Sequence, residues 1–129
     1  MATATLLNYE LEEGQRLIDA LNLAGLSTDS ALWIYSSDSE SWHLMLTSEI
    51  CDREGTLKAY KEILTVFRDV QPELKIDWTS LIAVSPNHEL IEGLRQSQLQ
   101  WNRNLSGRRL TNNMVNGVRV DDGYIYKIK

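Results

Sequence analysis

The chain holds one cysteine, two histidines and two prolines in 129 residues, and each scarcity removes a class of protein. A lone Cys51 excludes an internal disulfide and points to a reducing compartment. No apolar run approaches the roughly 20 residues that a helix needs to cross a bilayer, so no membrane partner is expected. The opening Met1-Ala2-Thr3-Ala4-Thr5 has neither the basic nor the apolar region of a secretion signal, which makes a cytoplasmic location the expectation. Asn104-Leu105-Ser106 matches a glycosylation acceptor, but without such a signal it reads as a chance match. There is no internal repeat and no low-complexity tract, so one domain over residues 1–129 is expected. No stretch carries a recognisable catalytic or cofactor signature, and no cofactor is expected.

What remains is ordinary globular material, 43% hydrophobic and 24% charged, in a chain long enough to bury one real core. Its organising stretch is Ala31 to Ser48. Leu32-Trp33-Ile34-Tyr35 is apolar on both alternating faces and must be covered on both sides. Ser36 to Ser41 is a polar turn region, and Trp42 to Thr47 alternates, with Trp42, Leu44 and Leu46 opposite His43, Met45 and Thr47. This is an interior hairpin.

Around it the periodicity predicts helices. The first runs from a cap at Asn8 to about Ala24, with Leu11, Leu17, Ile18 and Leu21 on one face and Gly25 as its stop; Ser27 to Ser30 lead into the hairpin. Gly14 inside this helix costs about 1 kcal/mol relative to alanine, which suggests close packing against another element. Asp52 is expected to cap a second helix to about Val70. Leu81 to Val84 reads as a short buried strand, and Ser85-Pro86 as the cap and first position of a third helix with Leu90, Ile91 and Leu94 inward. From Arg108 to Lys129 two turn signals compete. Asn116-Gly117 is the stronger dipeptide, but Asp121-Asp122-Gly123 leaves two strands of ordinary length and is the expected reversal. The fold class is therefore α+β, a single mixed sheet with helices in the order αββαβαββ.

Ala31 to Tyr35, Trp42 to Leu46 and Tyr124-Ile125-Tyr126 together resemble small bacterial proteins of uncharacterised function. That resemblance spans most of the chain and implies no activity for any residue.

Three constellations bear on chemistry. Glu73-Leu74-Lys75, with Asp69 upstream, has the acid-any-lysine spacing of nuclease metal sites, but Pro72 interrupts it and a solvated connector is the simpler reading. No metal is expected. Cys51 precedes the second helix and His88 lies at the start of the third. If the strands before them are parallel neighbours, both emerge at one carboxyl edge of the sheet, as a nucleophile and base would, although nothing supplies an orienting third group.

The third is charge. Residues 1–92 carry a balance of −10 and residues 93–129 one of +5. The candidate binding set in that basic third is Arg103, Arg108, Arg109 and Arg119, interleaved with Trp101, Tyr124 and Tyr126, residue types that contact phosphates or stack on bases. Against a nucleic-acid role stands a net charge of −5 for the whole chain; dedicated binders carry a dominant basic footprint. The expectation is a non-enzymatic interaction module whose partner is a protein or its own copy, with nucleic acid as the alternative and a Cys51-dependent enzyme third. A homodimer is expected to use the face carrying Trp33 and Tyr35.

Overall fold

The computed structural model describes residues 6–26 and 28–129. Met1 to Thr5 and Ser27, on which the signal and lead-in readings partly rest, lie outside the described residues.

Helix α1 (Asn8–Leu23) is followed by strands β1 (Ala31–Ser36) and β2 (Ser41–Thr47). Then come α2 (Ile50–Glu54), α3 (Thr56–Asp69), a short 3-10 turn (Trp78–Ser80), β3 (Leu81–Val84), α4 (Glu89–Trp101), β4 (Arg109–Val115) and β5 (Val118–Lys127). One five-stranded sheet has the order β3-β2-β1-β5-β4. Only β2 and β3 run parallel, with Thr47 opposite Val84; the other neighbours are antiparallel. This is the expected α+β fold with a mixed sheet.

Both faces of β1 are covered, as its apolar pattern requires. On one side Trp33, Leu44, Leu46 and Ala83 meet Leu17, Ile18 and Leu21 of α1 and Ala59 and Ile63 of α3. On the other, Leu32, Met45 and Ile125 meet Leu90, Ile91 and Leu94 of α4. Trp33 is 1% exposed, so the aromatic face expected to receive a second copy is already filled by α1. Tyr35 is half-buried, edge-on to Trp42 with ring centroids 5.6 Å apart.

Gly14 does mark a close approach. A Cβ there would lie 2.3 Å from the Tyr126 hydroxyl and 3.1 Å from the Trp33 indole nitrogen, so only a bare backbone lets α1 reach the sheet.

Several boundaries differ from expectation. Asn8 is the first helical residue, and the Leu7 N–H is satisfied by Glu10 Oε1 at 3.0 Å, a cap supplied from within the first turn. The second helix is two, because Gly55 sits at φ 94° between α2 and α3, and Asp52 lies inside α2 instead of capping it. Helix α4 starts at Glu89: His88 Nδ1 accepts from Leu90 N at 3.2 Å and does the capping assigned to Ser85. The C-terminal reversal is at Asn116-Gly117, both residues at positive φ, 49° and 81°, as a two-residue hairpin turn matched to strand twist requires. Asp121-Asp122-Gly123 lies within β5. The hairpin tip is seated on α4 at Gly93, where a Cβ would come within 2.6 Å of Val115 Cγ1, and Asn116 Nδ2 donates to the Glu89 carbonyl at 3.0 Å.

Candidate interaction surface

The basic third is built on the C-terminal end of α4 and the β4–β5 hairpin. Gln98 ties these parts together: its Nε2 donates to the Ile128 carbonyl and its Oε1 accepts from Leu105 N, both at 2.9 Å. Asn102 ends the helix in the left-handed conformation at φ 48°, a cap that asparagine tolerates. The chain then returns through Asn104, whose Oδ1 accepts from Ser106 N. A shallow cleft of about 380 Å³ opens here, with Arg103, Lys127 and Lys129 around it.

Not all of the expected cations are free. Arg109 Nη2 reaches both oxygens of Asp122 at 3.1 and 3.3 Å, and Arg119 Nε donates to Asp121 Oδ1 at 2.9 Å. The Arg119 guanidinium, helped by Ser37, holds the Asp121 carboxyl below its ordinary range. Arg95 donates to the Lys129 and Pro86 carbonyls and pairs with Glu92. Arg103 and Arg108 are exposed and make no ion pair among the described residues.

The aromatic residues are not brought together as one platform. Trp101, 67% exposed, stands at the end of α4. Tyr124 and Tyr126 pack edge to face, 5.3 Å apart, on the side of the sheet that α1 covers. Tyr126 is structural: its hydroxyl accepts from Trp33 Nε1 at 2.8 Å and donates to the Leu11 carbonyl at 2.6 Å, and burial pushes its phenol well above the ordinary value. Leu99 and Met114 add exposed apolar surface in the same third, 73% and 65% exposed.

Sequence reasoning overlooked Asp121 and Asp122 as counter-ions, since adjacent aspartates before a glycine look like turn residues. Their spacing from Arg119 was the available signal.

The parallel pairing of β2 and β3 places Cys51 and His88 just beyond the same carboxyl edge, as the sequence argument required. Their chemistry is turned elsewhere. Burial raises the Cys51 thiol above its ordinary value, opposed in part by a hydrogen bond with the Thr56 side chain. His88 Nδ1 is occupied by Leu90 N. The Glu73-Leu74-Lys75 segment is a fastened connector: Lys75 N donates to Glu13 Oε1 at 3.1 Å, Arg16 donates to the Pro72 carbonyl, and Leu74 is buried. Among the described residues no three His, Cys, Asp or Glu side chains converge as a metal-holding group, and no helix is long and apolar enough to cross a membrane.

Comparison with protein-family models, with curated proteins and with solved structures found no match to this chain. The resemblance noted in the hairpin and the Tyr124-Ile125-Tyr126 segment therefore assigns no family, and function rests on the surface itself.

Proposed function

We propose that the protein is a non-enzymatic interaction module that contacts another protein through its C-terminal third, with a second copy of the chain as the simplest partner. The observation that carries this reading is the pairing of Arg109 with Asp122 and of Arg119 with Asp121. A phosphate-binding strip needs cations whose charge is available to displace counterions. Here two hairpin guanidiniums are spent on carboxylates of their own hairpin. What the region offers instead is paired charge, with Met114 exposed opposite Arg119 on the hairpin and Leu99 and Trp101 exposed on α4, apolar and polar groups of the kinds found in protein contacts.

A second reading has its own support: Arg103, Lys127 and Lys129 surround one cleft, a grouping that suits a nucleic-acid backbone. Two measurements on the same preparation separate them. Light scattering across micromolar concentrations is expected to give a mass above that of one 14.8 kDa chain, and replacement of Trp101 and Met114 by serine is expected to lower it. Fluorescence anisotropy with single- and double-stranded DNA and RNA at about 50 mM salt is expected to give no binding. A constant monomer mass together with salt-sensitive oligonucleotide binding, lost in an Arg103→Gln, Arg108→Gln, Arg109→Gln variant, would replace the first reading by the second.

A further inference from the structure

The end of α3 and the connector that follows it enclose a second cleft of about 380 Å³. Leu64 and Phe67, one helical turn apart on α3, supply apolar wall. The indole of Trp78 supplies another and is 58% exposed. Arg68, Gln71 and Glu73 line the same space, and none of the three side chains makes a hydrogen bond or ion pair among the described residues.

The walls are fixed. Leu74 and Ile76 are buried, which turns Glu73 outward on the alternating connector. Glu13 and Arg16 of α1 hold the backbone at Lys75 and Pro72. Asp77 caps the 3-10 turn through Thr79 N at 2.9 Å, and so sets the position of Trp78. A preformed cleft of this size, with aromatic walls and a few converging polar groups, has the make-up of a small-molecule site.

We propose that this cleft binds a small aromatic zwitterion of the amino-acid type. A flat ring would lie against Trp78 and Phe67, where aromatic pairs gain from offset or edge contact. A carboxylate suits Arg68, whose planar fork of donors matches it. An ammonium suits Glu73. A ligand bearing only one charge would leave the like-charged side chain of the cleft unneutralised, so both charges are required for full affinity. This site shares no lining residue with the cleft of the basic third.

The test uses the full chain and nitrogen–proton correlation spectra, in which each of the four tryptophans gives an indole signal and Trp78→Phe identifies that of Trp78. Four probes are titrated: L-phenylalanine, its N-acetyl derivative without the ammonium, phenylethylamine without the carboxylate, and the N-acetyl amide, which mimics a residue within a peptide. L-phenylalanine is expected to shift the Trp78 signal along a saturating curve and to leave Trp101 unmoved. Loss of either charge is expected to weaken binding at least about tenfold. Arg68→Gln should remove the advantage of the carboxylate and Glu73→Gln that of the ammonium; both residues are exposed, so the fold is retained. No saturation at Trp78 by about 10 mM, or equal response to all four probes, would overturn the proposal. Tightest binding of the N-acetyl amide would also overturn it and make the cleft a peptide-contact surface.

Discussion

The Trp33 indole N–H donates to the Tyr126 hydroxyl at 2.8 Å, and that hydroxyl in turn donates to the Leu11 carbonyl at 2.6 Å. The central strand, the last strand and the first helix are thereby joined through one oxygen atom. It sits above Gly14, where a Cβ would stand 2.3 Å away. A phenol tip would ordinarily give way, but this one is held from both sides. Gly14→Ala is therefore expected to destabilise the protein by about 1–3 kcal/mol through overpacking, although alanine is the better helix former by up to about 1 kcal/mol. Urea denaturation checks the sign. In a Tyr126→Phe background, where the oxygen is gone, the same change should cost less, and equal cost in both backgrounds would show that the clash is not with this hydroxyl.

Acid should loosen the connector first. Glu13 accepts from Arg16 at 2.6 Å and from Lys75 N at 3.1 Å, and the hydrogen bond from Arg16 leads the causes that hold its carboxyl below the ordinary value of 4.5. A carboxyl whose folded pKa is depressed contributes stability that is present above the unfolded value and lost as pH falls through the folded one. Unfolding free energy is expected to decline below about pH 4.5, and Glu13→Gln should flatten that decline while costing about 1–3 kcal/mol at neutral pH for the weakened partners. Amide hydrogen exchange at Lys75 should rise in the variant. A wild-type acid profile identical to that of Glu13→Gln would remove this group from the account.

The sheet was largely legible in the sequence because alternation is a strong, local signal. Trp42, Leu44 and Leu46 did go to one face, and the apolar run from Leu32 to Tyr35 did demand cover on both sides. The parallel pairing of β2 and β3 was a condition of the Cys51 and His88 argument, and it is met, as a helical crossover between strands permits. Decisions that turned on a single residue were less legible. Gly55 at φ 94° breaks a stretch whose apolar spacing continues through it, and His88 wins the cap over Ser85 by geometry that spacing does not reveal. At the C-terminus, strand length favoured the reversal at Asp121 to Gly123, but Asn116-Gly117 supplies two positive φ angles and Gly93 leaves room on α4 for the resulting tip. The binding residues were chosen by type. Type says nothing of whether an arginine already has a carboxylate or a tyrosine already has a helix.

For the thiol, expected behaviour is inert. Burial raises the Cys51 pKa, which lowers the thiolate fraction that alkylating reagents attack. Labelling at pH 7 should be slower than for a free thiol and should rise steeply with pH. His88→Ala is expected to leave that rate unchanged while lowering stability by roughly 1 kcal/mol, the usual cost of a lost helix cap. Fast labelling at pH 6 that slows in His88→Ala would restore the nucleophile-and-base pair.

The carboxylates that mask the hairpin give the sharpest test of the proposed function. Asp122 binds Arg109 and Asp121 binds Arg119, and both arginines are on the exposed C-terminal hairpin. Asp121→Asn with Asp122→Asn keeps the shape of each side chain and an oxygen able to accept from Gly123 N, which Asp122 Oδ1 now does at 2.8 Å. The change frees two guanidiniums and makes the local charge more positive by two. If masking is what keeps the hairpin from phosphate, the double variant should bind duplex DNA at low salt where the parent protein does not. Each phosphate it neutralises contributes about −0.9 to the slope of log affinity against log salt, so two freed arginines predict a slope near −1.8 from the hairpin alone. The stability cost should be small, because exposed ion pairs are screened by solvent and contribute little. Self-association measured on the same variant should weaken, since paired charge on the contact face would become uniformly positive and repel its copy. Oligonucleotide binding by the parent protein at the same salt, unaltered in the variant, would mean that Asp121 and Asp122 mask nothing and that the protein-contact reading of this surface is wrong.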